Sequence, residues 1–328
     1  MKKLWPVVLT LAIALITILA IFSSILGWNI VLELLSHFQI QYFLVLTVLL
    51  VVLIFSKHTI PILIGLFCCT LIALFLLPWF IPDNLIVSNS SGAKVRILSA
   101  NVNLGNNDYT PIINLIKIEQ PDIAVLIEVN KKWVNQLEIL EPLYPYSLGD
   151  LKYEALNVIV YSKRPLDNSK IDYWGETPHT SPVINAQQTL DNITFDLLAV
   201  HPLPPFKPSF FQSRNNYLNR VSEWARSRTN PIVVIGDLNI TMWSPYYKKL
   251  IRETNLKNTR KGFGLLPTWL PDGMPQNWSL WLYHFFGLPI DHCLVDPQIQ
   301  VTQMQIGPNI KSDHLPIMVD LTLPAPSS

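Results

Sequence analysis

Apolar residues are spread unevenly along this chain. Leu4 to Leu26 is a run of about 23 residues without a charge, Ile40 to Phe55 is a shorter one, and Ile60 to Ile81 is a third of about 22. Across residues 1–82 the only ionised side chains are Lys2, Lys3, Glu33 and Lys57. About 20 apolar residues in a helix match a hydrocarbon layer roughly 30 Å thick. The pattern therefore predicts three transmembrane helices, over about 4–26, 40–55 and 60–81. Pro6 and Pro61 fall in first turns, where backbone amides have no helical partner to lose. Lys2 and Lys3 also suit the start of a signal peptide, but the first run is longer than the usual apolar part and two more follow, which favours an uncleaved anchor. Under the positive-inside rule these lysines and Lys57 mark the cytoplasmic ends. Three crossings of an inner or plasma membrane then place everything after Pro82 outside the cytoplasm.

Beyond Pro82 the texture changes. Residues 83–94, with Ser88, Asn89, Ser90, Ser91 and Gly92, read as a short flexible linker. From 95 to 328, short apolar runs bounded by turn residues predict strands over 95–102, 123–127, 157–162, 194–200, 232–235, 290–295, 300–306 and 315–323. Thr110 and Pro111 open a helix that Pro121 stops, Ser209 caps one running to Arg226, and Ser244 with Pro245 opens another. Many strands with a few interspersed helices predict an α/β or α+β domain of two sheets packed face to face.

Charge and cysteine narrow the picture only a little. Setting aside the three Lys and one Glu of residues 1–82 from 24 basic and 23 acidic residues leaves 21 against 22 in the remainder. No basic field advertises non-specific nucleic-acid binding. Cys293 stands alone beyond the apolar runs, which excludes a disulfide framework there. Asn-X-Ser/Thr triplets occur at Asn89, Asn192, Asn239 and Asn277, but a glycan on Asn239 would block the chemistry argued next.

The informative pattern is where polar residues end the strands. Asn101, Glu128, His201, Asp237 with Asn239, Asp291 with His292, and Asp313 with His314 each stand at or just past an apolar run. Strand ends on one rim of a sandwich bring distant residues into one pocket. One Asp after a strand is a turn former more often than a ligand, but so many such ends are harder to dismiss. Carboxylates and amide oxygens suit a hard cation, and histidines suit proton transfer and phosphate contact. Arg164 and Arg214 could reach a phosphate, although Arg on a loop or helix is usually solvated. The aromatic group Trp269, Trp278, Trp281, Tyr283, Phe285 and Phe286 reads either as packing or as an apolar lip touching lipid.

Six segments carry a resemblance: Ser99-Ala100-Asn101-Val102-Asn103, Ile127-Glu128-Val129, Ala199-Val200-His201-Pro202, Gly236-Asp237-Leu238-Asn239, Pro289-Ile290-Asp291-His292 and Ser312-Asp313-His314-Leu315-Pro316. In order and spacing they resemble the successive motifs of the endonuclease/exonuclease/phosphatase (DNase I-like) superfamily, and 157–164 resembles its central strand. The resemblance implies an α/β fold, a four-layer αββα sandwich of the DNase I-like type, here preceded by the three-helix transmembrane region. It implies Mg²⁺, with Mn²⁺ an alternative, held by Glu128 and Asn101 with Asp313 close by. Asp237 and Asn239 would position water and phosphate, Asp291 would orient His314, and His201 would donate to a phosphate oxygen. Whether Asp237 or His314 is the base stays open.

Architecturally the chain is similar to membrane-anchored bacterial members of the superfamily (YafD-like and teicoplanin-resistance-like). That similarity implies a metal-dependent phosphoester hydrolase working on a phosphorylated lipid or polyprenyl phosphate among membrane lipids. An anchored nuclease acting on DNA or RNA is the main alternative, and a non-catalytic membrane scaffold the second. Nothing in the sequence requires an obligate protein partner.

Overall fold

The computed structural model describes residues 4–82, 92–150, 157–176, 179–270 and 280–324. It opens with helices α1 (Trp5–Leu26), α2 (Ile30–Ser36), α3 (Gln39–Ile54) and α4 (Thr59–Leu76), the last continued by a 3₁₀ turn over Leu77–Phe80. Then follow β1 (Lys94–Asn101), α5 (Thr110–Glu119), β2 (Ile123–Val129), α6 (Lys131–Leu137), β3 (Tyr146–Gly149), β4 (Asn157–Ser162), β5 (Asp167–Glu176), β6 (His179–Leu190) and β7 (Ile193–Val200). The chain continues with α7 (Pro208–Arg226), β8 (Ile232–Asp237), α8 (Pro245–Thr254), β9 (Lys257–Asn258), α9 (Leu280–Phe286), β10 (Asp291–Val295), β11 (Gln300–Ile306) and β12 (Ile317–Thr322). Pro111, Pro208 and Pro245 each stand in a helix's first turn, where their fixed φ fits and no amide is lost.

Two helices, Trp5–Leu26 and Thr59–Phe80, are each long and apolar enough to cross a membrane. The predicted second span is different. Helix α3 has 16 residues and so covers about 24 Å, short of a roughly 30 Å hydrocarbon core. It makes a third candidate only together with α2, which it meets at a 64° bend. The three long helices pack on one another through Ile13, Leu46, Leu53 and Ile72. The end of α1, the start of α3 and the end of α4 all abut the rest of the protein, with the Lys57 turn at the other end of the bundle.

The remainder is a sandwich of two six-stranded sheets, ordered β11-β12-β1-β2-β4-β3 and β5-β6-β7-β8-β10-β9. Each sheet has one parallel pair at its centre, β1 with β2 and β7 with β8, and antiparallel neighbours on either side. Between the sheets lies a core that includes Ile97, Val125, Phe195, Leu197, Ile235 and Val319. The outer face of the first sheet is covered by α5 and α6 through Ile112, Ile116 and Trp133. The outer face of the second is covered by α7 and α8 through Leu218, Val221, Tyr247 and Leu250. The order is helix, sheet, sheet, helix, as the resemblance implied. The β5–β6 hairpin is an element the pattern did not predict. The predicted linker lies, but for its last three residues, outside the described residues.

One feature changes how the two parts relate. Ile40 and Leu76, with Phe43, Leu44, Phe75 and Trp79 packed against them, belong to the same apolar cluster as α7 and α8. The Trp79 carbonyl accepts from the amides of both Gly262 and Gly264, and the Ser24 hydroxyl donates to the Trp243 carbonyl at 2.8 Å. The sandwich is docked on the helices, not merely tethered to them.

Candidate active site

The parallel pairs decide where the chemistry lies. β1 ends at Asn101, β7 leads into His201, and β8 ends at Asp237, so their C-terminal ends bring three of the predicted residues to one rim. β10 runs the other way beside β8 and starts there, with Asp291 directly opposite Asp237. Gly236 makes the close packing possible. Its φ is +147°, and a Cβ there would stand 2.0 Å from the Val200 carbonyl oxygen of the neighbouring strand. Glu128 reaches the rim by a bulge: the β2–β4 register slips between Ile127 and Val129, and Glu128 sits at φ 61°, in the left-handed region. Such a conformation costs of order 1–3 kcal/mol outside glycine and persists where surroundings hold it. Here its carboxylate does the holding, accepting from the Leu104 amide at 3.1 Å and from Asn101 Nδ2 at 2.9 Å.

All eight predicted residues gather at one cleft. Asn101 Nδ2 donates to Asp237 Oδ2 as well, at 3.2 Å, and Asn101 Oδ1 accepts from the Asn103 amide. Asn101 thus bridges the two carboxylates with its nitrogen. His201 Nε2 lies 3.7 Å from Glu128 Oε1 and 3.8 Å from Asp237 Oδ2. His314 Nε2 is 3.7 Å from Asp237 Oδ2, and its Nδ1 is 2.9 Å from Asp291 Oδ2. Asn239, also left-handed at φ 50°, donates its amide to Asp237 Oδ1 at 2.8 Å and its Nδ2 to the Pro202 carbonyl. Asp313 faces the same cleft, but its oxygens accept from Asn103 Nδ2 at 2.7 Å and from Trp269 Nε1 at 3.0 Å.

Electrostatics split the central pair. Burial, aided by the Asp291 charge, pushes the Asp237 carboxyl up to about 8 against the pull of His314 and the Asn239 amide. Burial alone would lower His314, but Asp291 and Asp237 outweigh it and raise the imidazole to about 10. Burial would likewise raise Asp291, yet the charge and hydrogen bond of His314 hold it below the usual carboxylate range. His292 is lowered to about 3 by burial and by Arg260 beside it. It is a neutral supporting residue, with Nε2 on the Ile240 carbonyl and Nδ1 on Asn258.

Asp237, Asp291 and His314 each present a ligand atom within 4.8 Å of the others, and Glu128 adjoins them through Asn101. Two carboxylates share one amide donor, with a third and fourth nearby. Such concentrated negative charge fits a hard divalent cation with oxygen ligands.

The cleft, of about 390 Å³, has a wall the sequence did not anticipate: Leu34, His37 and Phe38, from α2 and its bend into α3. Leu288, Pro205 and Phe206 continue the apolar side, and among the described residues the lining includes neither Lys nor Arg. Further along α3, Gln41, Val45 and Val48 line a second, almost wholly apolar cavity with Phe285 and Phe286 of α9. Phe38, Gln41, Val45 and Val48 follow helical spacing, so one stripe of α3 faces both spaces.

Arg214, expected to be solvated or to reach a phosphate, is instead fully buried against Glu33. Arg164 and His284 are exposed. Trp269 belongs to the cleft through Asp313, a role its aromatic neighbours hid. Tyr283 is core, whereas Phe285 and Phe286 are exposed beside α3. Trp278 and the side chains of Trp281 and His179 lie outside the described residues. A lone charge between apolar runs, Glu33, was the one sign that could have pointed to the docked wall.

Comparison with curated proteins gives no match to this chain. Solved structures share its fold. An endonuclease/exonuclease/phosphatase from Beutenbergia cavernae DSM 12333 is 20% identical with a TM-score of 0.56, covering 71% of this chain and 72% of that one. D. rerio TDP2 complexed with single strand DNA product is 16% identical at 0.57, over 70% of this chain and 99% of its own. An AP endonuclease from Archaeoglobus fulgidus is 14% identical at 0.55, over 69% and 98%. The model of the Endonuclease/Exonuclease/phosphatase family matches residues 98–314, well over half the chain and every strand end described above. This chain therefore belongs to the endonuclease/exonuclease/phosphatase family, a family of metal-dependent phosphoesterases.

Proposed function

We propose that the chain is a membrane-anchored phosphoester hydrolase that takes a phosphorylated lipid or polyprenyl phosphate from the bilayer surface. The observation that carries this is the composite cleft: its polar end holds Asp237, Glu128 and His314, and its apolar wall is built from the α2–α3 bend at a span's entrance. A phosphate on a hydrocarbon stem matches both ends. The apolar stripe continuing down α3 supports the same reading. A nucleic-acid backbone would favour Lys and Arg along its track, and among the described residues the cleft lining includes neither. Lys57, at the bundle's other end, supports an extracytoplasmic cleft under the positive-inside rule.

In this reading Glu128 is the principal holder of Mg²⁺, with Mn²⁺ as the other candidate. Asn101 spaces it from Asp237, and Asp313 stands at the margin. The cation would supply charge neutralisation at the phosphoryl oxygens. The residues supply the rest. Environments that push two neighbouring groups apart assign acid and base. Asp237, raised to about 8, is in its ionised form a stronger base than an ordinary carboxylate and accepts a proton from water. His314, kept cationic by Asp291, donates to the oxygen where charge develops. His201, between Glu128 and Asp237, presents Nε2 to a non-bridging oxygen, and Asn239 fixes Asp237 through its amide.

The test is a phosphate-release screen of the full chain in detergent, with Mg²⁺ and with EDTA, comparing prenyl pyrophosphates, phospholipids, DNA and RNA. Metal-dependent release from a lipid phosphate is expected. Cleavage of nucleic acid with every lipid untouched would overturn the substrate reading.

A further inference from the structure

Arg214 of α7 is a buried three-way junction. Its Nε donates to Asn215 Oδ1 at 2.7 Å and its Nη1 to the Asn239 carbonyl at 2.8 Å. Its Nη2 stands 3.0 Å from Oε1 of Glu33, and both side chains are 0% exposed. That third contact is an ion pair rather than an aligned hydrogen bond. The other Glu33 oxygen lies 3.3 Å from Nε2 of His37, whose Nδ1 meets the Thr241 hydroxyl at 2.9 Å. Two residues of the segment between the first two apolar helices therefore grip both ends of the 239–241 turn, one directly and one through Arg214. That turn begins two residues after Asp237. Asn239 holds the carboxylate from a left-handed conformation, φ 50°, one asparagine adopts more readily than most residues, and Arg214 fixes its carbonyl there.

We propose that Glu33 is a positioning residue for phosphoester hydrolysis: through Arg214 it fixes the Asn239 carbonyl, so the turn that holds Asp237 is set only while α2 is docked. The inference rests on Asp237 and Asn239 being the reacting and supporting groups, and not on which substrate is cleaved. Charge neutrality alone does not explain the arrangement. A buried pair can be replaced by apolar groups with little change in stability, yet only a planar guanidinium reaches Glu33 and the Asn239 oxygen together.

Three variants of the full chain in detergent separate the possibilities: Glu33→Gln, Arg214→Lys, and the double variant Glu33→Gln/Arg214→Met. Two readouts are taken, hydrolysis of bis(p-nitrophenyl) phosphate with Mg²⁺ and amide hydrogen exchange over 238–242. Misplacement by about 1 Å costs on the order of 10²-fold in rate. The expected result is a kcat about 10–100-fold lower with KM changed less than about threefold, and faster exchange in the turn. Arg214→Lys keeps the charge pair and the fold but not the bridge, so it should show the same signature at an unchanged melting temperature. The double variant, melting near wild type, should stay slow. Wild-type kcat or wild-type exchange protection in Arg214→Lys or in the double variant would overturn the proposal. Should the double variant not fold, Arg214→Lys decides. Asp237→Ala is the control: if it turns over like wild type, the catalytic reading fails and the positioning role with it, whereas a dead control beside normal Arg214→Lys sinks the positioning role alone.

Discussion

Replacing Asp291 by Asn tests the proton assignment most directly. Asn keeps the shape and an oxygen that accepts from His314 Nδ1, now 2.9 Å away, so the tautomer survives and only the charge is lost. Asp291 is the first of the groups that raise His314, ahead of Asp237 at 3.7 Å, and burial pulls the other way. Without it the imidazole falls from about 10 towards or below its usual value near 6.5. The sign follows from linkage. A histidine raised in the folded state contributes stability that is complete below about 6.5 and is lost as pH climbs through its folded value. In the wild type that loss therefore spreads from about 6.5 up to about 10; in the variant, whose imidazole is no longer raised, stability should change little with pH over the same interval. Breaking a buried pair on one side costs about 3–5 kcal/mol, or roughly 6–20 °C in melting temperature for a domain of this size. Loss of a positioned proton donor costs about 10²–10⁴-fold in kcat. The assay is a pH–rate profile from 5.5 to 10 with Mg²⁺ held saturating, beside melting curves at the two ends of that range. The variant's alkaline limb should lie at least two pH units below the wild type's. Coincident limbs, whatever the absolute rates, would mean that His314 does not act as the cationic donor.

Three further outcomes are expected. Glu128→Gln should raise the Mg²⁺ concentration for half-maximal activity by more than the roughly 10–100-fold that outer-sphere partners cost, measured by metal titration; an unchanged midpoint would move the ion elsewhere. Gly236→Ala should destabilise the chain by roughly 2–6 kcal/mol, combining left-handed strain with a clash on the Val200 carbonyl, and a normal melting temperature would contradict that geometry. Phe38→Glu puts a charge in the cleft's apolar wall. It should lower kcat/KM for a long-chain lipid phosphate about tenfold or more while leaving bis(p-nitrophenyl) phosphate within about twofold, since each buried methylene is worth about 0.8 kcal/mol.

The chemistry was legible because it sits where periodicity breaks. An apolar run that stops at Asn101, Glu128 or Asp237 is visible without any knowledge of neighbours, and two sheets aligned by parallel central pairs place those stops on one rim. The β5–β6 hairpin was illegible for the opposite reason. Val183 faces the α7 side and Ile184 the inter-sheet core, so a strand buried on both faces shows no alternation, and Pro182 argues against a strand at all. Exposed Lys170 and half-buried Asp172 on the outer strand pair with each other and dilute the signal further. The docking of α2 could not be read either. Glu33 meets a partner 181 positions away, and no local pattern distinguishes a charge in a loop from one sealed beneath a helix. The bulge at Glu128 was equally silent, since one residue's slip in register leaves the sequence of a strand unchanged.

The apolar cluster joining Ile40, Phe75 and Trp79 to Trp243, Tyr247 and Leu250 has a practical corollary for anyone wishing to work without detergent. A fragment beginning after Pro82 would carry a raw, greasy scar beneath α8, together with an arginine stripped of its counter-charge. Such a fragment would self-associate through that scar, and its weak turnover would measure the amputation rather than the enzyme.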